Sequence, residues 1–174
     1  MKTDLLEQIK TICRNTEENV SMARYTTFRI GGAAEVLCEP ESRGEVCGLV
    51  SLLKDKNEPY TIIGNGSNLL VSDAGIDGVV IRIARRMNKA EVLGEKISAE
   101  SGILLSELSS VAAKAGLTGL EFASGIPGTL GGAIYMNAGA YGGEIGALIE
   151  TVTYISDDGA IKTSGREEQS FGYR

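Results

Sequence analysis

Histidine and tryptophan are both absent from the 174 residues. With no imidazole available, a His-based triad, a His metal site and a His general base are excluded within this chain. Cysteine is sparse and odd in number. Cys13, Cys38 and Cys47 lack metal-ligand spacing and read as buried or free thiols in a reducing compartment. No apolar run approaches the ~18 residues needed to span a bilayer. The opening MKTDLLEQIKTICRN carries acids among its apolar positions and has no apolar signal-peptide core. The formal match of Asn65-Gly66-Ser67 to a glycosylation sequon therefore carries no weight. These absences lead us to expect a cytoplasmic protein with no membrane insertion and no metal. A net charge of -6 and a pI near 4.8 argue against nucleic-acid binding, which needs a basic stripe.

Glycine is in excess. There are 23 glycines, about 13% of the chain against the usual ~7%. Eight of them fall in the 22 residues from Gly125 to Gly146. That run also contains Ile126, Leu130, Ile134, Tyr135, Met136 and Tyr141, so it lacks the low hydrophobicity of a linker. Two readings stand. Either backbone N–H groups are brought close to a flat or bulky ligand, or the run is a tight buried turn between core elements.

Along the chain, apolar residues at helical spacing predict a short helix over residues 3 to 13. Met22 to Gly32 reads as an extended approach and turn, and Ala34 to Cys38 as a strand. Ser42 and Glu45 form a capping-box signal for a helix over 42 to 56. Strands follow at Tyr60–Ile63 and Gly78–Ile83, then a hairpin of 90–93 with 96–99 across Gly94-Glu95. A second helix from Leu105 is stopped by Gly116. Leu148–Ile155 and Ala160–Thr163 read as strands joined by an Asp-Gly turn, with a helix or turn at Arg166–Gln169. This α/β mixture lacks a regular βαβ repeat, so a parallel doubly wound sheet is not expected. A composition break near Arg85–Lys89 suggests two α+β lobes: an N-terminal helix in 1–20, lobe 1 in 21–86 and lobe 2 in 87–174.

The GNGSN loop, Gly64, Asn65, Gly66, Ser67 and Asn68, follows a strand directly. It reads either as an anion-binding concavity or as an ordinary strand-end turn. It is not a Walker loop, since no Lys-Ser/Thr follows, and it lacks the third Gly and helix of the dinucleotide fingerprint. Thr129, Asn137 and Tyr141 are polar groups at hand in the glycine run. Glu121 reads as solvated surface, and Asp157 and Asp158 as turn residues. Arg24, Arg29, Arg82, Arg85 and Arg86 read as surface or ion-paired, with one available to a cofactor phosphate. Tyr25 reads as core packing or a ring-stacking residue.

Four stretches together, TTFRIGG (26–32), GNGSNLLV (64–71), GLEFASGIPGTLGGAIYMNAGAYGGE (119–144) and FGYR (171–174), closely resemble the UDP-N-acetylenolpyruvoylglucosamine reductase family. These are flavoenzymes of peptidoglycan precursor synthesis, and the likeness runs over nearly the whole chain from about residue 20. It implies an α+β, two-lobed FAD-binding domain of the vanillyl-alcohol-oxidase (PCMH) type, whose C-terminal substrate domain is missing here. It implies that Gly64, Asn65, Gly66, Ser67 and Asn68 cradle the FAD pyrophosphate. Ser124, Gly125, Ile126, Pro127, Gly128, Thr129, Gly131 and Gly132, with Tyr135, Asn137, Ala138, Gly139 and Tyr141, would line its ring systems. NADPH would be the reductant and an enolpyruvyl UDP-sugar the substrate, its carboxylate held by Arg174. The family's proton-donor serine and a late glutamate have no counterpart here. The expectation is therefore a flavin-binding portion of a longer enzyme, inactive alone. Other readings are a different flavin oxidase of this fold and a non-catalytic nucleotide-binding fragment.

Overall fold

The computed structural model describes residues 3–172. It divides into two compact units, Met1–Met87 and Asn88–Arg174. In the first, helix α1 (Thr3–Ile12) precedes strands β1 (Thr16–Ser21) and β2 (Ala33–Cys38). Helix α2 (Arg43–Asp55) then leads to β3 (Tyr60–Ile63) and β4 (Ile76–Arg82). The four-stranded sheet has the order β1-β2-β4-β3. β4 runs parallel to both β2 and β3, while β1 is antiparallel to β2.

The interior position of β4 explains its unbroken apolar stretch. Val79, Val80 and Ile81 are fully buried, as expected for a strand covered on both faces. α2 turns Val46, Leu49, Val50 and Leu53 inward at helical spacing. α1 buries Leu5 and Ile9. Gly48 lets α1 come close to α2, since a Cβ there would be 3.0 Å from Ile12. Cys13 and Cys38 are buried and Cys47 half-buried, all as free thiols. The neighbouring Cys13 thiol, together with burial, pushes the Cys38 thiol's pKa up.

In the second unit, hairpin β5 (Ala90–Leu93) and β6 (Lys96–Ala99) precedes helix α3 (Leu105–Lys114). α3 ends at Gly116 in the left-handed region (φ +70). Leu117 N–H donates to the Ala112 carbonyl and Gly116 N–H to that of Ala113, the complete Schellman pattern. Short helix α4 (Leu130–Tyr135) follows, then the two-residue strands β7 (Gly139–Ala140) and β8 (Gly143–Glu144) and hairpin β9 (Thr151–Ile155) and β10 (Ile161–Gly165). Ile103, Leu105, Leu108, Ala123, Leu130, Ala133 and Ile145 form this unit's core. At the β9–β10 turn, Ser156, Lys162 and the Ala160 N–H hold the Asp158 carboxyl well below the usual carboxylate range.

Several elements depart from the sequence-based expectations. β1 was not expected because five of its six residues, TEENVS, are polar. It is an edge strand held by backbone pairing to β2, with only Val20 buried. Met22–Gly32 is not extended. It opens with a 3-10 turn, Met22–Arg24, and forms an excursion closed by Met22 N–H donating to the Gly32 carbonyl (2.9 Å). α4 lay unread inside the glycine run, since two glycines in six residues disfavour a helix. Tertiary contacts supply what propensity lacks. Leu130 N–H donates to Ile103 and Gly131 N–H to Ser101, each at 2.8 Å. β9 starts at Thr151 rather than Leu148, because Leu148 closes a 3-10 turn on Ile145.

The capping box at α2 is also modified. Glu45 N–H donates to Ser42 Oγ (3.2 Å), but the Glu45 carboxylate accepts from Glu41 N–H (3.1 Å) rather than from Ser42. Replacing Ser42 by Ala should lower stability by about 1 kcal/mol, read as a reduced urea midpoint with unchanged slope. An unchanged midpoint would show the cap to be idle.

Candidate functional site: two glycine loops

The loop Gly64–Asn68 leaves the end of β3 beside the end of β4, where Ile63 is opposite Arg82. Gly66 has φ +67, and a Cβ there would lie 1.9 Å from the Tyr25 carbonyl oxygen. Thr27 N–H donates to the Gly66 carbonyl (3.1 Å). Only glycine fits that position. The N–H groups of Gly66, Ser67 and Asn68 make no hydrogen bond among the described residues. They remain available to an acceptor, as an anion cradle requires.

The TTFRIGG segment interlocks with the chain after this loop. A Cβ on Gly31 would lie 2.7 Å from Val71 Cβ, and one on Gly32 would lie 2.2 Å from the Asp73 carbonyl. Gly32 N–H donates to Ser72 (2.8 Å). Thr26 is buried and its hydroxyl donates to the Ile30 carbonyl (3.1 Å).

Arg82, read from the sequence as surface or ion-paired, is ion-paired, and its further neighbours were not legible in the sequence. Its guanidinium pairs with Glu39, stacks over the Tyr25 ring at 5.0 Å and reaches Asn65 Oδ1 at 3.5 Å. The side chain is only 15% exposed. The available signal was its place at the end of an apolar strand, level with the strand end that launches GNGSN.

In the second unit, a 3-10 turn at Glu121–Gly125 and α4 frame Ser124–Gly132. The glycines here divide by environment. A Cβ on Gly131 would be 2.9 Å from Ser101, one on Gly139 2.7 Å from the Gly143 carbonyl, one on Gly143 2.5 Å from Phe122, and one on Gly146 2.6 Å from Phe171. Those four are required by packing. Gly125 is exposed, has no positive φ, and a Cβ on it would meet nothing within 4 Å. Gly132 is exposed too, and its Cβ would meet only Thr129 Oγ1 at 3.4 Å. Nothing among the described residues demands glycine at these two positions.

Gly128 and Thr129 N–H groups make no hydrogen bond among the described residues, although the Gly128 carbonyl accepts from Leu105. Thr129 is almost fully buried. Tyr135 and Tyr141 are 89% and 99% exposed, an uncommon state for large aromatics without a ligand or partner. Ser124 and Pro127 are exposed, and Ile126 and Ala138 half-buried.

Asn137 acts as a clasp. Its Nδ2 donates to Glu144 Oε2 and to the Gly172 carbonyl, and its Oδ1 accepts from Gly146 N–H, each at 3.0 Å. Contact with a ligand through that amide would break this clasp. The clasp also brings the start of FGYR to the glycine run. Ile134–Asn137 and Gln169–Gly172 line an open cavity of about 510 Å³. Arg174, expected to hold a carboxylate, lies outside the described residues. Within the second unit, the backbone donors at Gly128 and Thr129, the open glycines and the exposed Tyr135 and Tyr141 rings fit a group with an anionic linkage and flat rings, as FAD has.

Comparison with known proteins agrees. A UDP-N-acetylenolpyruvoylglucosamine reductase from Clostridium novyi (strain NT) is 46% identical over 173 residues, covering 98% of this chain and 56% of that protein. Another from Lactiplantibacillus plantarum is 44% identical over 174 residues, covering 100% and 57%. The chain thus spans about half the length of the curated relatives it matches. The crystal structure of the Thermus caldophilus UDP-N-acetylenolpyruvylglucosamine reductase superposes with a TM-score of 0.76 at 41% identity, over 89% of this chain and 54% of that one. An alkyldihydroxyacetonephosphate synthase shares the fold, with a TM-score of 0.70 at 20% identity over 95% of this chain and 34% of that one. The FAD binding domain family matches residues 34–165, and the chain belongs to that family.

Proposed function

We propose that this chain is the flavin-binding part of an FAD-dependent reductase acting on UDP-N-acetylglucosamine-enolpyruvate. The observation that carries the proposal is the pair of open glycines, Gly125 and Gly132, in the glycine-rich run of the second unit. The fold leaves them bare, and a ligand pressed on the backbone explains why they lack side chains. Gly64, Asn65, Gly66, Ser67 and Asn68 would hold the FAD pyrophosphate through the outward N–H groups of the loop. Ser124–Gly132 and Tyr135–Tyr141 would flank its rings, with Asn137 contributing backbone and keeping its amide in the clasp.

The chemistry FAD supplies when bound is hydride transfer from NADPH to the enolpyruvyl double bond, with one proton added, giving the lactyl ether of UDP-N-acetylmuramate and NADP+. Arg174 would bind the substrate carboxylate bidentately and stabilise charge developing there. No serine of this chain is assigned the proton. The 174 residues alone are accordingly expected to show no reductase turnover. A cytoplasmic location belongs to the same proposal; among the described residues no helix is long and apolar enough to cross a membrane.

Full-length protein should purify yellow and oxidise NADPH only when the enolpyruvyl UDP-sugar is present. Colourless, inert protein would end the proposal, and steady oxidase activity with oxygen alone would move it to another flavoenzyme of this fold. Arg174→Met should keep the flavin yet lower turnover by roughly 10²–10³-fold.

The glycines provide an independent check. Gly125→Ala should leave apo-protein stability within about 0.5 kcal/mol of wild type while weakening FAD binding about tenfold, or ~1.4 kcal/mol. Gly143→Ala, forced against Phe122, should cost about 1–3 kcal/mol of stability. Equal effects of the two on folding and on flavin would contradict the division between packing and ligand glycines.

A further inference from the structure

We infer that Arg82 is a positioning residue for the flavin loop, acting through Asn65 and Tyr25 rather than by touching the cofactor. The inference rests on the reading of Gly64–Asn68 as the pyrophosphate cradle and goes beyond it.

The geometry is local to the first unit. Arg82 is the last residue of β4, level with Ile63, the last residue of β3. It therefore stands at the root of the loop. One arm of its guanidinium pairs with Glu39, which follows β2. The other reaches Asn65 Oδ1 at 3.5 Å. Its face covers the Tyr25 ring at 5.0 Å, within cation–π range. Tyr25 in turn presents the carbonyl oxygen that Gly66 packs against. One side chain thus restrains both sides of the loop: the side chain of Asn65 directly, and the backbone under Gly66 through Tyr25.

A guanidinium has only donors, five of them in a fixed fork. Asn65 must therefore turn Oδ1, not Nδ2, toward Arg82, which fixes the orientation of the amide at the mouth of the cradle. Burial stiffens the arrangement. Arg82 Nε is buried and has no hydrogen-bond partner among the described residues; the contacts that hold the guanidinium are its two arms and the ring beneath it. Preorganisation of this kind improves affinity by removing ordering costs from the binding step.

The distinguishing variant is Asn65→Asp. A carboxylate opposite Arg82 makes a charge-assisted pair but places negative charge beside the pyrophosphate. Apo-protein thermal midpoint should rise while FAD affinity falls at least tenfold. A merely structural role for the pair moves stability and affinity in the same direction. Arg82→Met should weaken FAD at least tenfold, with Arg82→Lys recovering part of the loss by keeping the charge. Combining Arg82→Met with Asn65→Ala should cost less than the two single changes multiplied together, since the two residues share one contact.

These measurements are flavin titrations of the full-length apo-protein, followed by fluorescence quenching, with unfolding midpoints taken in parallel. Losses that multiply in the double variant, or Asn65→Asp lowering both quantities, would overturn the inference while leaving the cradle intact. Wild-type protein that takes up no FAD would instead remove the cradle reading, and this inference with it.

Discussion

The contact between Gly66 and the Tyr25 carbonyl constrains the Gly64–Asn68 loop more than any other. At 1.9 Å from a hypothetical Cβ, the approach admits no side chain, and φ +67 would strain one even if space existed. With the Gly66 carbonyl turned inward to accept from Thr27, the N–H groups that follow are directed away from it. The TTFRIGG segment is thus the floor of the loop rather than a separate binding element. The Gly31-Gly32 pair, pressed on Val71 and Asp73, secures that floor at its other end. Two motifs 38 residues apart by their first residues are one packing unit, and a change in either is felt by both.

The glycine run from Gly125 to Gly146 mixes two causes that composition alone cannot separate. Four glycines are dictated by neighbours: Ser101, the Gly143 carbonyl, Phe122 and Phe171. Gly142, at φ +82 beside Tyr141 at φ +51, supplies a turn whose two central residues both need positive φ, as short hairpins prefer. Gly125 and Gly132 have neither excuse. Of the alternatives left open by the sequence, tight packing accounts for the crowded glycines, and ligand approach is the reading proposed for the two bare ones. Exposure and the space above each Cα separate them.

What the sequence made legible follows the strength of local signals. α2, β3, β4 and the β5–β6 hairpin carry clear periodicity or turn chemistry, and each falls within two residues of its expected bounds. The elements that were missed draw their stability from elsewhere in the chain. β1 exists because β2 offers backbone partners, and α4 because Ser101 and Ile103 accept its first N–H groups. Arg82 was equally hidden. An arginine ending a strand looks like any surface cation until Glu39, Asn65 and Tyr25, drawn from three other segments, are seen around it. Asn137 read only as a polar group at hand in the glycine run, and its side-chain bonds to Glu144, Gly146 and Gly172 join positions that no local pattern links.

Net charge is a poor guide to the ligand here. A chain of net charge -6 is proposed to hold a cofactor that is itself anionic. Yet neither Gly64–Asn68 nor Ser124–Tyr141 contains a single charged residue. Exposed acids elsewhere are screened beyond a Debye length of about 8 Å at physiological ionic strength. At the loop, the nearby interaction comes from N–H dipoles fixed in place by the fold, which need no reorganisation when an anion arrives. The cation behind the loop is paired with Glu39, so its contribution is orientation rather than net positive charge. Affinity in such a cradle is set by how rigidly the backbone is held. On the proposed reading, the contacts under Gly66 matter more to binding at this loop than the overall charge does.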